Sequence, residues 1–318
     1  MIFSSLRMAA GLLLGAGFLL TNEPRYLNPA NDHTFTMHYS PADSFALVKP
    51  GATLQKISGQ FSFTEGPAAD RQGNVYFTDQ PNDRIWKWNT DGRLELFLEK
   101  TGRSNGMYFD GKGNLLTCAD EKNEIWCISP RKKITVLFSD YEGKKLNGPN
   151  DLWVHPKGGI YFTDPYYQRS YWTRKKGELP GQDVYYLPKG KKEAVPVDTT
   201  LEQPNGIIGT PDGKTLYVAD IRAGKTYRYT IENDGRLSGR VLFVEQGSDG
   251  MTLDAQGNLY LTGNGVTVYN AGGTKIGHVA VPAKWTANVT FGGPQRNLLF
   301  ITASEAVYTL ELTVSGAQ

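Results

Sequence analysis

Six polar residues open six similar segments of this chain: Glu65, Asn105, Asn150, Asn205, Asp249 and Asn288. Four of them, Glu65, Asn150, Asn205 and Asp249, offer carboxylate or amide oxygens, the donors that hard cations prefer. Ca²⁺ takes about 6–8 oxygen ligands, so four protein donors leave positions for water and for a substrate. Two carboxylates balance a divalent charge, and neutral amides leave the ion electrophilic, which suits a Lewis acid better than a closed structural site. None of the four histidines (His33, His38, His155, His278) heads a segment, so a soft-metal site lacks its ligands. A single Asn or Asp at the start of a strand most simply makes a side-chain turn. Recurrence of such donors at matched positions is what favours a metal. Asn105 and Asn288 are weaker candidates, as substrate contacts, as supports behind the ligands, or as turn residues.

These residues lie far apart in sequence, so a repeated architecture must bring them together. Their spacings are 40, 45, 55, 44 and 39 residues. A period of roughly 40–50 residues built from short strands marks a β-propeller. In the first repeat, apolar runs at 67–70, 75–78, 85–88 and 94–98 are separated by turns such as Arg71-Gln72-Gly73-Asn74 and Thr90-Asp91-Gly92. Gly-Asn and Asp-Gly turns between β-branched and aromatic runs are hairpin punctuation. The expected fold is therefore all-β, a six-bladed propeller of four-stranded antiparallel blades. The last repeat shows only three strands, at 287–291, 298–302 and 306–310. The alternating run at 52–57 supplies the fourth and closes the ring, pairing edges that would otherwise be open. Strand alternation then places the loop between the second and third strands of each blade beside the six polar residues. In the third blade that loop, 165–182, is several times longer than its counterparts. It carries Tyr166, Tyr167, Arg169, Tyr171, Trp172 and Arg174, and Tyr166 and Tyr167 are candidate substrate contacts.

The 318 residues divide into a targeting segment at 1–24, an extension at 25–50 and one propeller at 51–318. Arg7 precedes an uncharged run, 8–20, of signal-peptide length, shorter than the roughly 20 residues of a membrane span. It reads as an export signal or as an uncleaved anchor, which would make the protein periplasmic or secreted, with any membrane tether through this segment alone. A net charge of +2 and the lack of a large basic cluster argue against nucleic acid as a partner. Cys118 and Cys127 flank a turn at 120–124. In a symmetric hairpin they stand opposite each other, a pair that export would allow to oxidise.

Several motifs carry a family resemblance. They are Thr64-Glu65-Gly66-Pro67, Gly148-Pro149-Asn150-Asp151-Leu152, Tyr161-Phe162-Thr163-Asp164-Pro165, Pro204-Asn205-Gly206-Ile207 and Ser248-Asp249-Gly250-Met251. Together, and in this order, they resemble the gluconolactonase and senescence-marker-protein (regucalcin) family. That resemblance implies a six-bladed, divalent-cation-dependent lactonase or esterase acting on a small-molecule lactone or related ester. It maps the metal ligands onto Glu65, Asn150, Asn205 and Asp249, with Ca²⁺ the first choice and Zn²⁺, Mn²⁺ or Mg²⁺ as alternatives. Asp249 is similar to the family's proposed base or nucleophile. Direct metal contact lowers a carboxylate's pKa, so a metal-bound water oriented by Asp249 is the expected nucleophile. Asp151, beside a ligand, is placed to orient Asn150. One position departs from the pattern: regucalcin-like members carry an Arg where this chain has Gly148, which separates lactone hydrolysis from aldonolactone specificity. Two competing readings are a phosphotriesterase-like hydrolase using the same electrophilic metal and a non-enzymatic ligand-binding propeller.

Overall fold

The computed structural model describes residues 46–317. The segment expected to act as an export signal or anchor lies outside them. Six four-stranded antiparallel blades form the ring. The first comprises Thr64–Ala69, Val75–Asp79, Arg84–Trp88 and Leu94–Glu99, close to the boundaries expected from its turns. The later blades begin at Ser104–Phe109, Leu152–Val154, Pro204–Gly209, Met251–Leu253 and Thr286–Gly292. These innermost strands are buried along their length or nearly so, because neighbouring blades cover both faces. The apolar side chains of the middle strands form the core between blades, as where Val218, Leu259 and Leu261 pack in one cluster.

The sixth blade is completed from the other end of the chain. Gln55–Ser58 pairs antiparallel with Ala306–Glu311, Gln55 opposite Thr309. Pairing begins earlier than the expected boundary at residue 51, since Val48 bridges Leu312 and the Lys49 N–H donates to the Glu311 carbonyl at 3.1 Å. Satisfying the backbone of the last strand with an N-terminal strand leaves no open edge at the junction of the ring.

A repeated device ties the innermost strand to its blade in three of the six blades. Asp79, Asp164 and Asp220 end second strands, and their carboxylates accept backbone N–H groups just upstream of the first: Ser62 and Phe63, Asn147 and Gly148, Glu202 and Gln203. The fifth and sixth blades end their second strands at Gly263 and Ala303 and lack the acid, and the second blade displaces it. Ala119, opposite Ser104, holds the position that Asp79 holds opposite Thr64, and an acid appears one residue later as Asp120. Asp83 from the first blade takes over the backbone role, accepting the Arg103 N–H at 2.7 Å.

The cysteine expectation is corrected by register. Glu124 already belongs to the strand and pairs with Ala119, so Cys118 stands opposite Ile125 and Cys127 opposite Leu116. The turn is shorter than expected, which offsets the two thiols by a diagonal step. Both are free.

Candidate active site at the channel mouth

Each channel residue is set by a contact between adjacent blades. A Cβ on Gly66, at φ +46°, would lie 2.0 Å from the Asn105 carbonyl oxygen, so only glycine lets the first blade approach the second here. One on Gly250 would lie 1.9 Å from the Asn288 amide carbon. Threonine hydroxyls lace the junctions as well: Thr163 donates to the Asn205 carbonyl at 2.7 Å, and Thr262 to the Ala287 carbonyl at 2.8 Å. The ring closes where Asn288 Nδ2 donates to Glu65 Oε2 at 3.1 Å, joining the sixth blade to the first. In four blades the register slips beside the channel residue: between Glu65 and Ala68, Ser104 and Met107, Pro204 and Ile207, and Thr286 and Asn288. Such bulges re-aim a side chain that regular alternation would point into the blade.

Glu65, Asn105, Asn150, Asn205 and Asn288 are all buried. Glu65 Oε2 accepts the Gly66 and Asn288 N–H groups, while Oε1 has no hydrogen bond among the described residues. Asn205 Nδ2 donates to Asp249 Oδ1 at 2.8 Å and to the Tyr167 hydroxyl at 2.9 Å. With the amide nitrogen so committed, Asn205 Oδ1 is buried without a partner, and so is Asn105 Oδ1. The Asn150 backbone accepts from Gly106 N–H at 2.8 Å and donates to the Thr163 carbonyl at 2.9 Å, and its side chain makes no hydrogen bond among the described residues. Asp151 does not reach the Asn150 amide by a hydrogen bond. Its Oδ1 accepts the Leu152 N–H at 2.9 Å.

The electrostatics are those of buried carboxylates set close together. Burial, then the Asp249 charge, push the Glu65 carboxyl well above its ordinary range, against the pull of the Gly66 N–H. Burial raises Asp249 to about 6 despite hydrogen bonds from Trp285 and Asn205. It raises Asp151 to about 7, opposed by Leu152 and Asn288. Buried charge of one sign is costly unless something compensates it. The donor set fits a hard cation: two carboxylates, one with a free oxygen, and amide oxygens left unpaired among them. Among the described residues no group of three or more His, Cys, Asp and Glu side chains could hold a metal. Any ion here therefore depends on the amides.

Residues 165–182 arch over this end of the channel, as strand alternation requires. Tyr167 reaches Asn205, whereas Tyr166 turns its hydroxyl to Gln168 Oε1 at 2.8 Å and stays within the loop's own packing. Four participants are not marked by the repeat. Trp285 Nε1 donates to Asp249 Oδ2 at 2.6 Å. Arg169 Nε and the Tyr171 hydroxyl both reach the buried Asp120. The sole sequence clue to Asp120 is its one-residue displacement from the Thr-Asp pairs at 78–79 and 163–164. Gly148, at φ +148°, explains its own identity: a Cβ would lie 2.7 Å from the Trp172 ring and 2.8 Å from Asp120 Oδ1. The loop occupies the space a side chain would need.

The model of the SMP-30/gluconolactonase/LRE-like region matches residues 63–305. The gluconolactonase of Zymomonas mobilis is 27% identical over 303 residues, covering 85% of this chain and 84% of its own. Lactonase drp35 of Staphylococcus aureus is 26% identical over 246 residues, 69% of this chain and 70% of its own. A solved gluconolactonase from Xanthomonas campestris has a TM-score of 0.77 at 30% identity, covering 88% of this chain and 95% of that one. Regucalcin from Agrobacterium tumefaciens, a calcium-binding protein, has a TM-score of 0.70 at 20% identity over 82% and 94% of the two chains, a likeness of fold.

Proposed function

Since this chain belongs to the SMP-30/gluconolactonase/LRE-like family, we propose that it is a lactone hydrolase that depends on a divalent cation, Ca²⁺ being the best match. Glu65, Asn150, Asn205 and Asp249 would hold the ion. The observation that carries this reading is the Asn205 amide. Its nitrogen serves two acceptors, so its oxygen lies buried and unpaired beside Asp249. Leaving a buried acceptor without a partner costs about 1–3 kcal/mol, a cost that a bound cation would offset. When bound, the ion supplies polarisation of the lactone carbonyl and stabilisation of the oxyanion that develops there.

The chain's own residues do the rest. Trp285 and Asn205 hold both oxygens of Asp249, which fixes the carboxylate plane over the channel. Asp249 is then the acceptor that orients an attacking water and takes its proton as the new C–O bond forms at the carbonyl. The same proton goes to the ring oxygen as the C–O bond of the lactone breaks, giving the open hydroxy acid. Ligation lowers the Asp249 pKa from about 6, so its main contribution is orientation, with proton transfer following the developing charge. Tyr167 and residues 165–182 enclose the mouth and exclude bulk water.

The test is turnover of lactones by chelated and by calcium-reconstituted protein, with calcium affinity measured by calorimetry. Asp249→Asn should lower the rate even at saturating calcium. Full activity after exhaustive chelation would sink the metal requirement. Hydrolysis of phosphotriesters but not lactones would favour the related hydrolase, and calcium binding without turnover of either would favour a ligand-binding propeller.

A further inference from the structure

The loop over the channel holds one cation by one edge only. Arg169 Nε donates to Asp120 Oδ2 at 2.9 Å, and the Tyr171 hydroxyl donates to the same oxygen. The guanidinium carbon lies 5.4 Å from the centre of the Tyr167 ring, whose hydroxyl meets Asn205. The two Nη nitrogens donate no hydrogen bond among the described residues, although the side chain is only 22% exposed. Asp120 is built for this contact. It stands one residue beyond the position where other blades place their backbone-tying acid, and Asp83 does that work in its stead. The acid is thus free to fix an arginine that the neighbouring blade's loop brings in.

Resting on the lactone reading, we propose that Arg169 is a substrate-binding residue, its free Nη edge donating to hydroxyl oxygens carried by the lactone ring, with Asp120 as its positioning residue. Removing a charged pair from water is costly, and an Arg held by one edge keeps several donors in a fixed fork. The pair carries no net charge, so it offers no net pull on an anion. Its remaining donors suit neutral oxygen acceptors, which points to a hydroxylated lactone over an anionic or purely hydrocarbon one. The ring of Tyr167, against the same guanidinium, gives the sugar-like ring a flat wall.

A matched pair of six-membered lactones tests this: glucono-1,5-lactone, with hydroxyls, and δ-valerolactone, without them. Wild type, Arg169→Gln, Arg169→Lys and Asp120→Asn are assayed at saturating calcium, with thermal melts to verify folding. Arg169→Gln should raise KM for glucono-1,5-lactone by about tenfold or more, the scale of a lost hydrogen bond to a charged donor. The change for δ-valerolactone should be far smaller. Arg169→Lys should retain part of the discrimination, and Asp120→Asn should shift KM in the same direction as Arg169→Gln. Parallel loss on both lactones, or an unchanged KM for the hydroxylated one, overturns the assignment and leaves Arg169 as a loop anchor while lactonase activity stands. Wild-type protein inactive on both would remove the lactonase reading and this assignment with it.

Discussion

Replacing Glu65 with Gln separates the cation's contribution from that of the fold. Oε2 of Glu65 is engaged by Gly66 N–H and Asn288 Nδ2, and Asn288 cannot turn over cheaply because its Oδ1 accepts the Val289 N–H at 2.8 Å. The Gln oxygen must therefore take the place of Oε2, and its NH₂ group replaces the free oxygen that faces the channel. A donor then stands where a cation needs a lone pair, and one of two balancing charges is gone. Loss of a residue that merely supports a ligand costs about 10–100-fold in affinity, so loss of a ligand should cost roughly 100-fold or more. With free calcium at 100 times the wild-type Kd, binding stabilises the native state by about 2.7 kcal/mol. A variant binding 100-fold more weakly gains only about 0.4 kcal/mol at the same concentration. At roughly 2 °C per kcal/mol for a chain of this size, about 5 °C of calcium-induced Tm rise should vanish. Without calcium the sign reverses. The Glu65 carboxyl is raised by burial and by Asp249, so ionised Glu65 subtracts stability as pH climbs through its folded pKa. Gln carries no such charge, and the calcium-free variant should melt at or above wild type at pH 8. Melts with chelator and with calcium read both effects. Equal calcium-induced shifts in the two proteins, or a calcium-free variant markedly less stable, would refute the reasoning.

Tyr167→Phe removes one of two acceptors that set the Asn205 amide, leaving its Nδ2 bond to Asp249. Calcium affinity should fall, by up to about tenfold, the worth of one hydrogen bond, and calorimetry at fixed pH checks it. Deleting residues 46–58 uncovers the strand Ala306–Glu311. The shortened chain should lose cooperative unfolding or self-associate through that edge, as read by melting and by light scattering. Ligating carboxylates must be deprotonated and Asp249 stands at about 6 before ligation. Calcium affinity should therefore rise steeply with pH through that region, with deprotonation of Glu65, also raised by burial and by Asp249, adding to the rise. A pH-independent Kd between 5 and 7 would count against Asp249 as a ligand.

Much of this molecule is determined by the sequence alone. Six polar residues at near-regular spacing, turns of the Asp-Gly and Gly-Asn kind, and a last repeat short of one strand establish the propeller and its closure by an N-terminal strand. A repeat obliges equivalent positions to share one radius, so spacing alone converts Glu65, Asn105, Asn150, Asn205, Asp249 and Asn288 into a ring. What the tertiary structure decides lies between the repeats or breaks them. Whether Asn205 offers its oxygen or its nitrogen to the channel depends on Tyr167 and Asp249, which stand 38 and 44 positions away. Trp285 joins Asp249 from the connection between the fifth and sixth blades, and no other blade connection carries a Trp. Cys118 and Cys127 miss each other because one hairpin turn is shorter than symmetry suggested, and strand register is a property of the pairing, not of either strand. Asp120 and Arg169 meet across two blades because an acid moved one residue along its strand while a loop in the next blade grew. Periodicity reports what every blade needs in order to pack. The chemistry that distinguishes this chain sits where one blade departs from that need, and only the folded ring shows which partner the departure serves.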